Sequence, residues 1–325
     1  MGVAKYLVRK GIEAFITIFI GLTVAFFLFR LLPGDPTAVY LDIRLTPEAK
    51  KELMKTFGLD KPLYEQYIIF LINFLHGNLG LSFVYHGTPV SQVIFGPRLF
   101  NTIILMGSSM FIAAIIATFM GLIAGWKRGS IFDRISITLS YMGASAPVFW
   151  VGLLILLFLG SYYGLIPISG TISTEVIHAS LPVRIANYLW HMIGPLLTLI
   201  IYFIPTYMLY VRNDVVSLLG EDFITTLIAK GLSEKLIVFK HLMRYVLITV
   251  VTLLAVQSPL LVTGAILTET VFGWNGIGLL LYNSVLSSDY PVVQGIFIIT
   301  IIVVVLANLL ADVVYAILDP RVKLR

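Results

Sequence analysis

Long apolar runs separated by short polar stretches set the pattern of this chain. A membrane span needs about 20 consecutive apolar residues, and six stretches meet that length, near 11–32, 99–125, 135–160, 190–211, 245–267 and 291–318. The largest polar interval, 33–98, follows the first span. Within it Thr46, Pro47 and Glu48 start a helix that should end at Gly58, the proline being tolerated in the first turn. Asp60 is expected to cap a second helix through about Leu75, followed by the turn residues Gly77, Asn78 and Gly80. The apolar run Ile68–Leu75 is too short to cross, so 33–98 is expected to be a small helical lid on the outer face. Prolines fall inside several spans, at Pro147, Pro195, Pro205 and Pro259, where each removes a helix hydrogen bond and kinks the axis. Gly121 and Gly125 form a small-xxx-small pair suited to close helix contact.

Composition turns this pattern into a class. The 325 residues are 58% hydrophobic and 12% charged, against roughly 25% charged in soluble domains, and the mean hydropathy is +0.97. The chain is expected to be an all-α integral membrane protein, read as one domain over 1–325. Basic residues set its orientation. Lys5, Arg9, Lys127, Arg128, Arg212, Lys240 and Arg321 share one side if the N-terminus is inside, which is the cytoplasmic side by the positive-inside rule. An even number of spans returns the C-terminus there too. The net charge of +5 then reflects topology, and no basic patch interleaved with aromatics points to nucleic acid.

The segment Gly220–Arg244, within a cytoplasmic loop spanning 211–244, is charged and amphipathic between two spans. Its punctuation reads helix, turn, helix. Glu221 and Asp222 open the first helix, where negative charge suits the positive end of the dipole. Lys230 closes it, Gly231 supplies a left-handed residue past the end, and Ser233 can cap the next helix. Phe223, Ile224, Leu227 and Ile228 form an apolar stripe. The residues alone leave two readings open: a helix lying in the lipid headgroups, or a docking element for a soluble partner.

A second punctuated segment, Thr268–Gly278, is expected outside after the fifth span. Gly273, Gly276 and Gly278 let it turn sharply, while Phe272 and Trp274 bring amphipathic area to the membrane boundary. It reads either as an interfacial anchor or as a gate at the outer mouth. Glu269 favours the gate, because a carboxylate is better tolerated beside a wet vestibule than against lipid.

Catalytic and energy-coupling signatures are missing. There is no phosphate-binding GxxxxGK[ST] loop, and His76, His86, His178, His191 and His241 include no zinc-hydrolase spacing. With zero cysteines there is neither a catalytic thiol nor a thiolate metal site. No carboxylate or histidine chain crosses the midplane as proton- or sodium-coupled carriers require. A secondary transporter or channel is the alternative reading.

AKGLSEK at Ala229–Lys235 followed by His241 and Arg244 resembles the cytoplasmic coupling loop of ABC importer permeases of the dipeptide/oligopeptide branch. LPGDP (Leu32–Pro36), FGLDKPLYEQY (Phe57–Tyr67), RGSIFDR (Arg128–Arg134), TETVFGWNGIG (Thr268–Gly278), DYPVVQG (Asp289–Gly295) and LDPRV (Leu318–Val322) resemble signatures of the same branch, in its order. Thr225, Thr226 and Leu227 replace the glutamate and alanines that name the loop, and Thr249 replaces a usual proline. The resemblance implies the B-type transmembrane subunit of a type I importer in a prokaryotic plasma membrane. It would be paired with a C-type permease, two ATPases and an extracytoplasmic solute-binding protein. ATP and Mg would be bound by the ATPases, with no cofactor and no catalytic residue in this chain. The cargo would be a peptide, a nickel chelate or an oligosaccharide. Glu221, Asp222, Phe223, Lys230, Gly231, Leu232 and Ser233 are implied to dock on the ATPases, with His241 and Arg244 bracing the loop. Glu269, Phe272, Gly273, Trp274, Gly276 and Gly278 are the outer-gate candidates.

Overall fold

The computed structural model describes residues 3–30, 61–85 and 87–318. The Leu32–Pro36 turn, the helix expected between Thr46 and Gly58, the Asp60 cap and the chain beyond Leu318 lie outside them. Five described helices are long and apolar enough to cross a membrane, and a bent pair makes a sixth span. Among the described residues the only extended pairing is one bridge between Leu81 and Pro89. Contacts divide the chain into two compact units. One comprises the described parts of Met1–Thr102 with Val262–Ile266 and Asn275–Arg325; the other is Ile103–Leu261 with Leu267–Trp274.

The first unit is built on α1 (Val3–Arg30), α2 (Leu63–Leu75), α3 (Val90–Phe95), the opening turns of α4 (Pro97–Trp126), and two helices late in the chain, α12 (Ile277–Leu286) and α13 (Tyr290–Leu318). Val90, Val93 and Ile94 of α3 join Ile277 and Leu280 of α12 and Val292, Ile296 and Ile299 of α13 in one core. Gly295 permits this: a Cβ there would lie 2.5 Å from Val90 Cγ1. Leu22 and Ala25 of α1 pack on Ile298. α2 does not cross; its Tyr67 and Phe70 rings lie 5.2 and 5.3 Å from Phe26, and Thr23 and Tyr67 share a hydroxyl hydrogen bond of 2.7 Å. It begins after Pro62, in extended conformation with no side-chain cap.

Asp289 ties the 82–85 turn to the start of α13. It is fully buried and accepts from Ser82 Oγ (2.5 Å), Phe83 N (2.9 Å) and Val84 N (3.1 Å), while Tyr85 N donates to Ser82 Oγ at 2.9 Å. Removing the carboxylate strands several buried donors, each costing about 1–3 kcal/mol. Asp289→Ala is therefore expected to loosen residues 81–89 and to lower stability by about 3 kcal/mol. Asp289→Asn should not restore it, because the amide turns a donor toward other donors. Protease sensitivity of the 81–89 turn in detergent-solubilised protein, compared with wild type, is the measurement; equal cleavage rates would contradict the assignment.

The second unit holds the rest of α4, then α5 (Ile131–Ser145), α6 (Val148–Ile155, continued by π-helical turns through Tyr162), α7 (Leu181–Leu218), α8 (Asp222–Ala229) and α9 (Glu234–Gln257). α7 is its axis. Cβ atoms added at Gly121 and Gly125 would lie 2.7 and 2.6 Å from Val211 and Val215, so these glycines let α4 lie directly on α7. α5 turns Ser136 and Ser140 inward, with Ser140 donating to Met208 Sδ at 3.4 Å.

The spans depart from expectation in three places, the first being the fourth span, a helix over Leu181–Leu218 and not 190–211. Pro195 and Pro205 sit inside an unbroken 38-residue helix, but Pro147 breaks its span, bending α5 against α6 by 100°. Ala146, forced from the helical region by the proline after it, and Pro147 itself are both extended. The fifth span runs Glu234–Gln257, not 245–267. Pro259 ends it early, and the apolar residues beyond form the short helices α10 (Leu260–Thr263) and α11 (Ile266–Val271).

Candidate functional site

α7 extends well past the expected end of its span and ends in a tight turn. Leu219 N bonds Val215 O at 3.0 Å, and Glu221 N bonds Leu218 O at 3.1 Å. Glu221 is the extended residue that opens α8, and Asp222 is its first helical residue. At the far end, Gly231 N donates to Ile228 O (2.9 Å) and Leu232 N to Leu227 O (3.3 Å), the paired bonds of a Schellman termination. Gly231 is the left-handed residue of that motif, with φ +72°. A Cβ there would touch nothing within 4 Å, so glycine is required by backbone conformation and not by space. Ser233 stands in extended conformation before α9, though its side chain makes no cap hydrogen bond. The polypeptide thus folds back within a few residues, holding α8 between two spans.

The apolar stripe on α8 is only partly unpartnered. Ile224 is buried at 1% exposure, Phe223 rests on Tyr245 at 5.2 Å, and Leu227 is half-buried. The sequence pattern could not show that the start of α9 would cover this stripe. What α8 presents outward is Glu221, Asp222, Thr225, Thr226, Ile228, Ala229 and Lys230, all exposed. Thr225 and Thr226, two departures from the resembled loop, therefore lie on the open face. Leu232 and His241 are half-buried and Arg244 is exposed. His241 lies in a π-helical stretch, Ile237–Leu242, anchored by buried Ile237, Val238 and Leu242. Trp126 Nε1 donates to Glu234 Oε2 at 3.3 Å, tying the end of α4 to the same turn.

Three charged residues brace this platform, none of them a site candidate from the sequence, although Asp133 falls within the Arg128–Arg134 motif. Asp133, in the first turn of α5, pairs with Arg212 of α7 through Nε to Oδ1 and Nη2 to Oδ2, both 3.0 Å. The Asp133 side chain is 3% exposed and Arg212 16%, and Gly129 N adds a third bond at 2.8 Å. Asp214 accepts from the hydroxyl of Thr249, so the residue replacing the usual proline links α7 to α9. The signal was available: acidic and basic residues at the inner ends of two spans are costly unless paired.

The outer segment divides. Leu267–Trp274 belongs to the second unit, and Asn275 onward to the first. In the second unit Phe272 is 3% exposed and Trp274 and Glu269 are fully buried; Trp274 lies 5.1 Å from Tyr188. Phe272 fills space left by two glycines, for Cβ atoms at Gly194 and Gly152 would lie 2.5 and 3.3 Å from its ring. Gly170 N donates to Phe272 O at 3.0 Å. Gly273 is left-handed at φ +56°, with Ser169 Oγ 2.2 Å from where a Cβ would stand. These rings are interior and do not supply the exposed area at the membrane boundary that their composition led one to expect. In the first unit Gly276 precedes α12 in extended conformation. Asn101 Nδ2 donates to Asn275 O at 2.7 Å, Ile277 N donates to Thr102 Oγ1 at 2.8 Å, and Gly278 is buried within α12.

Comparison with known proteins assigns this architecture. Residues 117–324 match the family described as binding-protein-dependent transport system inner membrane component, and residues 3–94 match the N-terminal membrane component of the same systems. The chain belongs to this family. It is a multi-pass plasma-membrane permease, the pore-forming subunit of a binding-protein-dependent ABC importer. It is 34% identical over 323 residues to the dipeptide transport system permease protein DppB of Escherichia coli K12, covering 94% of this chain and 95% of that one. The oligopeptide transport system permease protein AppB of Bacillus subtilis is 32% identical over 323 residues (98% and 99% covered). The di/tripeptide transport system permease protein DppB of Pseudomonas aeruginosa is 33% identical over 332 residues (97% and 98%).

Proposed function

We propose that this subunit carries peptides and that α8 is where ATP-driven partners move it. The peptide assignment is supported by relatives named for dipeptide, di/tripeptide and oligopeptide transport. The chain works beside a C-type permease, with two ATPases below and a solute-binding protein outside. It performs no chemistry; nucleotide and Mg belong to the ATPases. The observation that carries the coupling role is a short helix set between two spans, closed by a Schellman turn, with its polar face and Ile228 open and the rest of its apolar stripe seated on the start of α9. Closure of the ATPases bears on Glu221, Asp222, Ile228 and Lys230, and the rigid turn at Gly231–Ser233 transmits the motion to α7 and α9. Leu267–Trp274, wedged by Phe272 between Gly152 and Gly194, is the outer-gate element of the second unit.

Gly231→Val tests coupling. A β-branched residue is strongly disfavoured at φ +72°, yet it meets no neighbour within 4 Å, so the change acts through the aim of α8. ATP-driven uptake is expected to fall about tenfold or more while membrane insertion is unchanged. Wild-type uptake together with wild-type co-purification of both ATPases would refute the role.

A further inference from the structure

The first unit contains a cavity of about 160 Å³ at the outer end of α1. Phe29 and Arg30 close one side, Gln66, Phe70 and Asn73 of α2 another, and Gln294 of α13 a third. The described lining carries no carboxylate. Among the described residues no acid pairs with Arg30, whose guanidinium lies over the Phe26 ring at 5.7 Å. Two acids adjoin the lining in sequence and neither is part of it: Asp289 is buried and already accepts from Ser82, Phe83 and Val84, and Glu65 accepts from the Tyr64 hydroxyl at 3.4 Å. Gln294 Nε2 is buried and has no hydrogen-bond partner. The lining also presents the buried amide oxygen Gln66 Oε1. The guanidinium and the Gln294 donor suit anionic oxygens, and the Gln66 oxygen suits a hydroxyl beside them.

The surroundings identify what bears those oxygens. Below Arg30, Val24, Phe27 and Leu28 of α1 are exposed, and Ile68, Ile72 and Leu75 of α2 are exposed to between 50 and 80%. A soluble anion has no use for these faces, whereas acyl chains cover them while a headgroup enters the cavity. The position suits this too, since α1 leaves the membrane on the outer side at Arg30, where headgroups lie. We propose that this cavity holds the phosphodiester of an outer-leaflet anionic phospholipid, gripped by Arg30 and Gln294.

Native mass spectrometry of the purified transporter complex, delipidated and then titrated with phosphatidylglycerol, phosphatidylcholine or inorganic phosphate, tests this. One phosphatidylglycerol should be retained per chain, with phosphatidylcholine held more weakly and inorganic phosphate unable to displace either. Arg30→Met and Gln294→Leu should each weaken retention, Arg30→Met by about tenfold, the scale of losing a charge-assisted hydrogen bond. Arg30→Lys should recover part of it. Should Arg30→Met disturb assembly, the milder Gln294→Leu still has to lower retention. Equal retention by wild type and both variants would overturn the site, and displacement by inorganic phosphate would overturn its lipid occupant.

Discussion

Asp133→Ala is expected to destabilise the protein by about 3–5 kcal/mol, the cost of leaving a buried partner charge unpaired. The carboxylate is nearly inaccessible, receives both ends of the Arg212 guanidinium and takes a third bond from Gly129 N. Removing it leaves Arg212, 16% exposed, with only the 3.3 Å contact from Nη1 to Asn213 Oδ1. Breaking the pair differs from replacing it, and a matched apolar pair of similar volume is often neutral. Asp133→Leu combined with Arg212→Met should therefore recover most of the loss. Denaturant titration of detergent-solubilised protein reads both effects. An Asp133→Ala variant within about 0.5 kcal/mol of wild type, the range of ordinary surface changes, would show that the pair is not structural. The pair also bears on function, because α7 passes from Arg212 to α8 within three turns and the clamp to α5 fixes the direction in which α8 is presented.

Gly194→Ala is the second large effect. Alanine is the better helix former by about 1 kcal/mol, so propensity alone predicts a gain. The added Cβ would instead lie 2.5 Å from Phe272 and 3.0 Å from Ile166, and overpacking of this kind costs about 1–3 kcal/mol. The variant is expected to be less stable and to release Phe272 from its seat. Phe272→Leu should relieve it, so the double variant should be more stable than the sum of the single changes allows. Strict additivity would mean that the ring does not occupy this groove. If Leu267–Trp274 gates the outer mouth, Gly194→Ala should also raise basal ATP turnover of the assembled transporter.

Local signals in the sequence carried the backbone of Gly220–Arg244 well. Glu221, Gly231 and Ser233 stand at the expected boundaries, which are decided within a few residues, though the Ser233 side chain makes no cap hydrogen bond. The existence of each span was legible from apolar length, but not the ends of α7, which runs over Leu181–Leu218, nor the places where a proline acts differently in different settings. Pro205 is accommodated inside α7, where Gly143 of α5 leaves room for its ring, whereas Pro147 ends one helix and starts another. No local pattern separates those outcomes. Burial of Phe272 and Trp274 was equally hidden, since it depends on Gly152, Gly194 and Tyr188, all far away in the chain. The same holds for Asp133 and Arg212, 79 residues apart. Each charge was visible, but their meeting is a product of α5 packing on α7.

Uptake into proteoliposomes tests the account most directly. The subunit would be reconstituted either alone or with its C-type partner, both ATPases and the binding protein, and labelled di- or tripeptide uptake followed with ATP or with an imposed ion gradient. Accumulation should require ATP and every partner, and should fall with Gly231→Val. Uptake by this subunit alone, driven by an ion gradient without ATP, would contradict the account and identify a secondary transporter or channel.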